Sequence, residues 1–381
     1  MNDNRYAQEI LLDILEDKWF DGYYSPKTIL KNNTPYMLTM GGRNIGKTFS
    51  YIICIIALWQ LADKRSCIMR RYDGSVKKLD TMFSKVLSMG YVPNKKGYDG
   101  ITFRKRAWCG FWKEGGKTLY DTPFCYTYAM GSATELQKGT LDIEDLMLVL
   151  FDEALTNEGY LPDEFKKFTN AISTIVRNNS KACVVLCANT VSWVAPYFRE
   201  FGISNVQKIK AGTIKVYKCF QQTAITLEYC KDTIATNRHK KIVDMRFFGF
   251  KNSTADMIRT GTWEIGSYQH LTRDLLKNRK REIVERSIYL LHGDETLCFE
   301  ITMLEDYGII INVRPAPGAD LEKAIRIYHD IPLYSPVQHR KPDTSDNIDR
   351  FIWHIYKQEK FFYADNLCGE TVKQYIQQVI R

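Results

Sequence analysis

The chain has 381 residues, of which 45% are hydrophobic and 25% charged, and its 53 Lys and Arg against 44 Asp and Glu give a net charge of +9. That length and balance exclude a small disulfide scaffold and a disordered tail, and they leave room for two globular domains. The positive excess suits either a polyanionic partner or a merely soluble basic protein, and charge alone does not separate the two.

The 10 cysteines and 6 histidines are dispersed, with no C-x-x-C pair. This argues against a zinc site or a disulfide framework and for a reducing compartment. The N-terminal M-N-D-N-R-Y-A-Q-E-I is polar, without the apolar centre of a leader. In chain order, residues 5–20 carry an amphipathic helical pattern with Ile10, Leu11, Ile14 and Leu15 clustered. Tyr36–Met40 reads as a short strand, and Phe49–Ala62 as an apolar helix too short to cross a bilayer.

Between them stands G-G-R-N-I-G-K-T, that is Gly41, Gly42, Arg43, Asn44, Ile45, Gly46, Lys47 and Thr48. Gly, four residues, Gly-Lys-Thr is the phosphate-binding loop pattern. Glycines let backbone N–H groups turn inward onto phosphate oxygens. Lys47 is placed to neutralise the β- and γ-phosphates, and the Thr48 hydroxyl to ligate Mg²⁺. The following helix presents its positive N-terminal end. A ligand-free glycine turn is the alternative, and the strand before and helix after it argue against that.

Residues 66–72 read as a second strand ending in Arg70 and Arg71, and 75–87 as a helix. From Gly90 to Tyr128 glycines, aromatics and basic residues suggest short antiparallel strands, an excursion from a parallel core. Leu146–Phe151 is an apolar run with the character of a strand buried on both faces, and it ends in Asp152 and Glu153. Acids at that strand end stand where open α/β sheets bind ligands. Asp152 is placed to hold Mg²⁺ through water, and Glu153 to orient and deprotonate an attacking water. A helix-capping acid is the common alternative for an isolated pair. A further buried strand over 181–188 closes with Asn189, placed either to contact the γ-phosphate or to form a turn. Residues 191–201 are expected to close the first domain.

Past residue 205 these signals stop. Residues 205–270 read as a connecting region with a small fold of its own. Residues 271–286 are very basic and read as a solvated helix face. Strands at 287–291, 296–303 and 307–314 and helices at 347–360 and 369–381 suggest an α+β domain.

Five stretches, in order, carry a resemblance: G-G-R-N-I-G-K-T at 41–48, M-R-R-Y at 69–72, L-F-D-E at 150–153, V-R-N at 176–178 and A-N-T-V-S-W-V-A-P-Y-F at 188–198. Over residues 35–200 the chain resembles the DNA-packaging ATPases, or encapsidation proteins, of small tailed phages with terminal-protein-capped genomes, a compact branch of the terminase large subunits. The resemblance implies an α/β P-loop NTPase core of the additional-strand, catalytic-glutamate type, with the 182–188 strand between the loop strand and the acid strand. It implies three parts: a motor domain over 1–204, a linker over 205–270, and at 271–381 a C-terminal domain like a vestigial RNase H-type nuclease. It also implies ATP and Mg²⁺, duplex DNA, a homo-oligomeric ring (a pentamer) at the capsid portal and, in some relatives, a structural packaging RNA. Localisation follows: host cytoplasm, transiently the portal vertex, and not the mature virion. By position, Arg177 matches an arginine offered in trans to the neighbour's nucleotide, Lys138 a basic residue facing the interface or pore, and Arg70 and Arg71 a strand-end pair near the phosphates. For Arg177 a surface arginine, and for the pair structural ion pairing, are the alternatives. No carboxylate lies on the 287–291 strand and Glu300 stands alone, so nuclease activity is not expected. A terminase retaining its nuclease and a nucleotide-switched DNA-binding protein are the competing functions; the acids at 152 and 153 favour hydrolysis over a switch.

Overall fold

A computed structural model describes residues 5–72, 79–131, 143–157, 159–219, 223–231, 263, 266, 268–277, 279–292, 295–320, 325–328 and 347–379. The elements through the first sheet are α1 (Ala7–Ile14), α2 (Lys27–Leu30), β1 (Tyr36–Gly41), α3 (Lys47–Ala62), β2 (Arg65–Arg70), α4 (Asp80–Ser88), β3 (Gly100–Arg104), β4 (Ala107–Glu114), β5 (Lys117–Tyr120), β6 (Cys125–Ala129), β7 (Leu146–Asp152), α5 (Glu164–Val176), β8 (Cys183–Asn189), α6 (Pro196–Glu200), β9 (Ile214–Lys218) and β10 (Ala224–Tyr229). Then come α7 (Arg273–Leu276), β11 (Arg281–His292), β12 (Glu295–Leu304), β13 (Gly308–Pro315), β14 (Ile325–Tyr328), α8 (Asn347–Lys357), β15 (Phe361–Tyr363) and α9 (Asn366–Val379).

Ten strands form one sheet in the order β3-β4-β6-β2-β7-β8-β1-β10-β9, with β5 on β4. The six from β6 to β10 are mutually parallel. Every residue of β7 is buried, as its unbroken apolar text requires of a strand covered on both faces. The strand of 183–189 lies between β1 and β7, as expected. The antiparallel excursion is β3, β4 and β5. The core packs α1, α3 and α4 against the sheet; in α3 all residues from Ser50 to Gln60 are buried, so it is apolar all round rather than amphipathic.

Three expectations about individual elements need correction. The first helix stops at Ile14 because Leu15 is extended, and a 3₁₀ turn follows at Asp17–Phe20. Residues 214–229 do not belong to a separate connecting fold: β10 pairs in parallel with β1, and β9 returns antiparallel on its outer side. The basic 271–286 stretch is helical only over α7; from Arg281 it is strand β11, where exposed Glu282 and Val284 alternate with half-buried Ile283 and Glu285.

The chain divides into two compact units, residues 1–156, 164–190 and 200–263 in one, and 157–163, 191–199 and 264–381 in the other. Val191–Arg199 therefore falls with the second unit rather than closing the first. Its hold is a buried one: Ser192 Oγ donates to Glu370 Oε2 at 3.1 Å, and Tyr268 Oη donates to Glu370 Oε1 at 2.6 Å. The second unit is a five-stranded sheet in the order β14-β11-β12-β13-β15, with α8 and α9 supplying Ile352, Ile355, Val372, Tyr375 and Ile376 to its core.

Candidate nucleotide site

Four adjacent strands, β2, β7, β8 and β1, end together. Gly41 is in register with Asn189, and Asp152 with Cys187. Their ends bring Arg70, Asp152, Asn189 and the phosphate loop to one edge, around a cavity of about 380 Å³ that Arg43, Asn44, Lys47, Thr48, Glu153 and Phe49 also line. The loop backbone has the shape its glycines permit. Gly46 sits at φ 89° with the Tyr23 ring only 3.0 Å from where a Cβ would stand, and a Cβ on Gly41 would meet Cys230 at 3.0 Å. Ile45 accepts a hydrogen bond from the Tyr24 N–H at 2.9 Å, and Ser50 Oγ donates to the Tyr24 carbonyl at 2.5 Å. The Tyr24 hydroxyl in turn donates to Glu228 on β10 at 2.7 Å.

Lys47 is 5% exposed. Its ammonium donates to the carbonyls of Gly41 and Gly42 at 3.0 and 2.7 Å and to Asn189 Oδ1 at 3.2 Å. Burial holds its pKa below the ordinary lysine value. Thr48 Oγ1 donates to Asp152 Oδ1 at 2.8 Å. The other Asp152 oxygen accepts from Arg70, whose second terminal nitrogen lies 3.6 Å from Glu153 Oε2. Burial pushes the neighbouring Cys187 thiol up to about 12, so it stays protonated at neutral pH.

Glu153 combines two features. Its backbone is left-handed, at φ 60°, which is uncommon for a residue with a side chain. Its side chain is 62% exposed, open to water, where that of Asp152 is 3% exposed. Arg71 clamps the strained turn. It pairs with Glu164, the first residue of α5, through Nε and Nη2 at 2.9 and 2.7 Å, and it donates to the carbonyls of Glu153 and Ala154 at 3.1 and 3.0 Å. The two adjacent arginines are thus divided in role: Arg70 faces the cavity, and Arg71 is a structural ion pair. Removing one partner of a buried pair costs about 3–5 kcal/mol. Arg71→Ala is expected to lower the unfolding free energy by about that amount. In urea unfolding, Arg71→Ala with Glu164→Ala should lose clearly less than the sum of the single changes; additive losses would mean the two side chains act separately.

The site also fits a divalent cation of one kind. Thr48 and Asp152 present one hydroxyl and one carboxylate together, and no cluster of three His, Cys, Asp or Glu occurs among the described residues. A protein bringing so few oxygens suits Mg²⁺, which is completed by phosphate oxygens and water, better than an all-protein metal cage.

Arg177 stands exposed just past the C-terminal end of α5. Glu164 at the other end of that 13-residue helix is held beside the strand-end turn, which puts Arg177 about 20 Å along the helix from that turn. Lys138 lies outside the described residues. Sequence reasoning missed Tyr24, Glu164 and Glu228. Glu164 carried a faint signal as the acid opening a helix after P-D; the other two are joined across 204 residues and have no local signature.

Phosphate loop, inserted strand and paired acids at adjacent strand ends define a P-loop NTPase of the additional-strand, catalytic-glutamate class. Within that class the relationship is specific: the family model of the podovirus DNA encapsidation protein (Gp16) matches residues 17–244, more than half of the chain, and the chain belongs to that family. Among characterised relatives it is 22% identical to the DNA packaging protein of Bacillus phage phi29 over 184 residues, 48% of this chain and 50% of the relative. It is 25% identical to that of Bacillus phage B103 over 167 residues, 43% and 47% of the two chains. By sequence the chain thus spans about half the length of the relatives it matches. In fold it is similar to a chain of the Phi-28 gp11 DNA packaging motor, with a TM-score of 0.56 and 14% identity over 94% of this chain and 98% of the other. It is similar also to a chain of the bacteriophage Phi-29 genome packaging motor assembly, with a TM-score of 0.55 and 14% identity over 93% and 99%.

Proposed function

We propose that this chain is an ATP-hydrolysing subunit of a homo-oligomeric ring, a pentamer, that drives duplex DNA through the portal of a preformed capsid in the infected cell and leaves before the virion matures. The observation that carries the reading is the convergence of Lys47, Thr48, Asp152, Glu153 and Asn189 at one sheet edge in a member of the encapsidation family. In it Lys47 and the loop N–H groups bind the triphosphate, Thr48 and Asp152 hold Mg²⁺, which supplies charge neutralisation at the phosphates, and Glu153 takes the proton of the attacking water. Asn189, already within reach of Lys47, is placed to sense the γ-phosphate. Arg177 serves the neighbour's site, since its own is a helix length away. Residues 1–156, 164–190 and 200–263, β9 and β10 included, form the motor, and the unit that holds 264–381 is a DNA- or portal-binding domain derived from a nuclease. In that domain Glu300 faces Arg286 at 2.9 Å and Arg314 at 3.8 Å, partners that suit a structural acid better than a metal ligand.

A packager must accept any sequence, so its grip belongs on phosphates. Purified protein is expected to hydrolyse ATP faster with duplex DNA of any sequence, the stimulation falling steeply with salt. Absence of hydrolysis, or a sequence-specific footprint, would refute the reading.

A further inference from the structure

Tyr24 grips the phosphate loop by its backbone and the sheet by its side chain. Its N–H donates to the Ile45 carbonyl at 2.9 Å, and its own carbonyl accepts from Ser50 Oγ, on α3, at 2.5 Å. One residue earlier, the Tyr23 ring lies against Gly46. The loop and the start of its helix are thus tied to two consecutive tyrosines. A phosphate loop binds by holding successive N–H groups in one concave arrangement, and a hydrogen bond to the Ile45 carbonyl helps to fix that arrangement.

What holds Tyr24 itself lies on β10. Its hydroxyl donates to Glu228 Oε2 at 2.7 Å. Thr39 of β1, in register with Glu228, and Tyr51 of α3 complete the surroundings: their hydroxyls are 2.5 Å apart and lie 3.5 and 3.4 Å from that of Tyr24. All four residues are buried. Burial raises the Glu228 carboxyl above its ordinary value, and the Tyr24 hydroxyl pulls it back down. An acid placed here costs desolvation that an apolar pair of similar size would not, so packing alone gives no reason for it. What the acid adds is direction: a satisfied buried polar network fixes one arrangement where a ring in an apolar pocket is free to shift.

We propose that Tyr24 is a positioning residue for the triphosphate: Glu228 anchors its side chain, and through its N–H it keeps Ile45 and the phosphate loop in the shape that binds; this rests on the nucleotide-site reading above. Tyr24 acts through the loop rather than on the phosphates. The loop is then held from β10 as well as from the strand and helix that flank it in sequence.

The test pairs equilibrium binding of a non-hydrolysable ATP analogue, with Mg²⁺, and urea unfolding, both on the full chain. Tyr24→Phe removes the hydroxyl and leaves the backbone bonds in place; the analogue should bind about threefold to tenfold more weakly. It also strands the buried acid, so stability should fall. Glu228→Gln keeps an acceptor for the hydroxyl and should bind to within about twofold of wild type. Tyr24→Phe with Glu228→Leu removes both polar partners, an exchange that returns stability towards wild type, yet affinity should stay as low as in Tyr24→Phe alone. A merely structural role would not separate the two measurements in this way. Affinity restored together with stability in the double variant overturns the proposal. So does unchanged affinity in Tyr24→Phe, or a loss in Glu228→Gln as large as that in Tyr24→Phe. Should the double variant not fold, Tyr24→Phe against Glu228→Gln decides. If the wild-type chain binds no analogue, the nucleotide reading falls first and this inference with it; wild-type binding that Tyr24→Phe leaves intact removes this inference alone.

Discussion

Glu153→Gln should lower steady-state ATP turnover by about 10²–10⁴, the usual contribution of a positioned general base, while nucleotide still binds. The amide keeps the size and hydrogen-bonding reach of the acid but cannot take a proton. The clamp on this residue does not use its side chain: Arg71 holds the Glu153 and Ala154 carbonyls, so the left-handed turn survives the substitution. Nor does triphosphate affinity depend on it, because the loop and Lys47 are held by Gly41, Gly42 and Asn189. The measurement is a pair of curves, turnover against ATP concentration and equilibrium binding of an ATP analogue. Unchanged turnover would remove Glu153 from the chemistry. Lost binding would show instead that its charge organises the pocket. Glu153→Asp is a useful companion: shortened by one carbon, the base retreats from the water, and turnover should fall.

The second large effect lies at the far end of α5. A cation completing the charge on a transferred phosphoryl group is worth about 10³–10⁵ in rate, and Arg177→Ala is expected to lose a factor in that range. What separates an arginine working in trans from any other is the behaviour of mixtures. If each Arg177 serves a neighbour, one variant subunit silences a site it does not itself own. In a ring that fires in coordinated order, activity then falls faster than the variant fraction. Titrating Arg177→Ala protein into wild-type at fixed total concentration gives the curve. A straight line would return Arg177 to the surface, and full activity of the pure variant would remove it altogether. Within one chain the residue is about 20 Å along the helix from the Arg71 clamp, so loss of activity without cooperativity has no ready explanation in cis.

How legible was all this? The loop, its strand and helix, the buried β7 and β8, and the residues at their ends were readable because each is a local text: glycines at fixed spacing, or apolar runs closed by a polar residue. Outside such texts the reading failed for physical reasons. β10 contains Glu228, and a buried glutamate argues against a core strand until its partner is known; the partner, Tyr24, is 204 residues away. β9 is I-K-V-Y-K, polar because it is an edge. β11 begins with R-E-I-V-E-R, whose charges suggested a helix surface, although its alternation across the ribbon is that of a strand. β14 and β15, with 4 and 3 residues, are too short for any periodicity to show. The role of Arg71 was undecidable from sequence because its partner Glu164 is 93 residues away.

The sheet's borders bear on how the proposed motor moves. On one side the outermost strand, β9, places Lys215 and Lys218 on its exposed rim; on the other, the meander of β3, β4 and β5 turns back on itself. Lysines and reversals of this kind discourage a second chain from zipping its backbone onto the rim. Subunits of the proposed ring would therefore meet through side chains rather than through a shared sheet. A joint made of side chains can slide, tilt and re-form as each site turns over, whereas a continuous sheet would weld the circle into one rigid body and leave it no stroke to deliver.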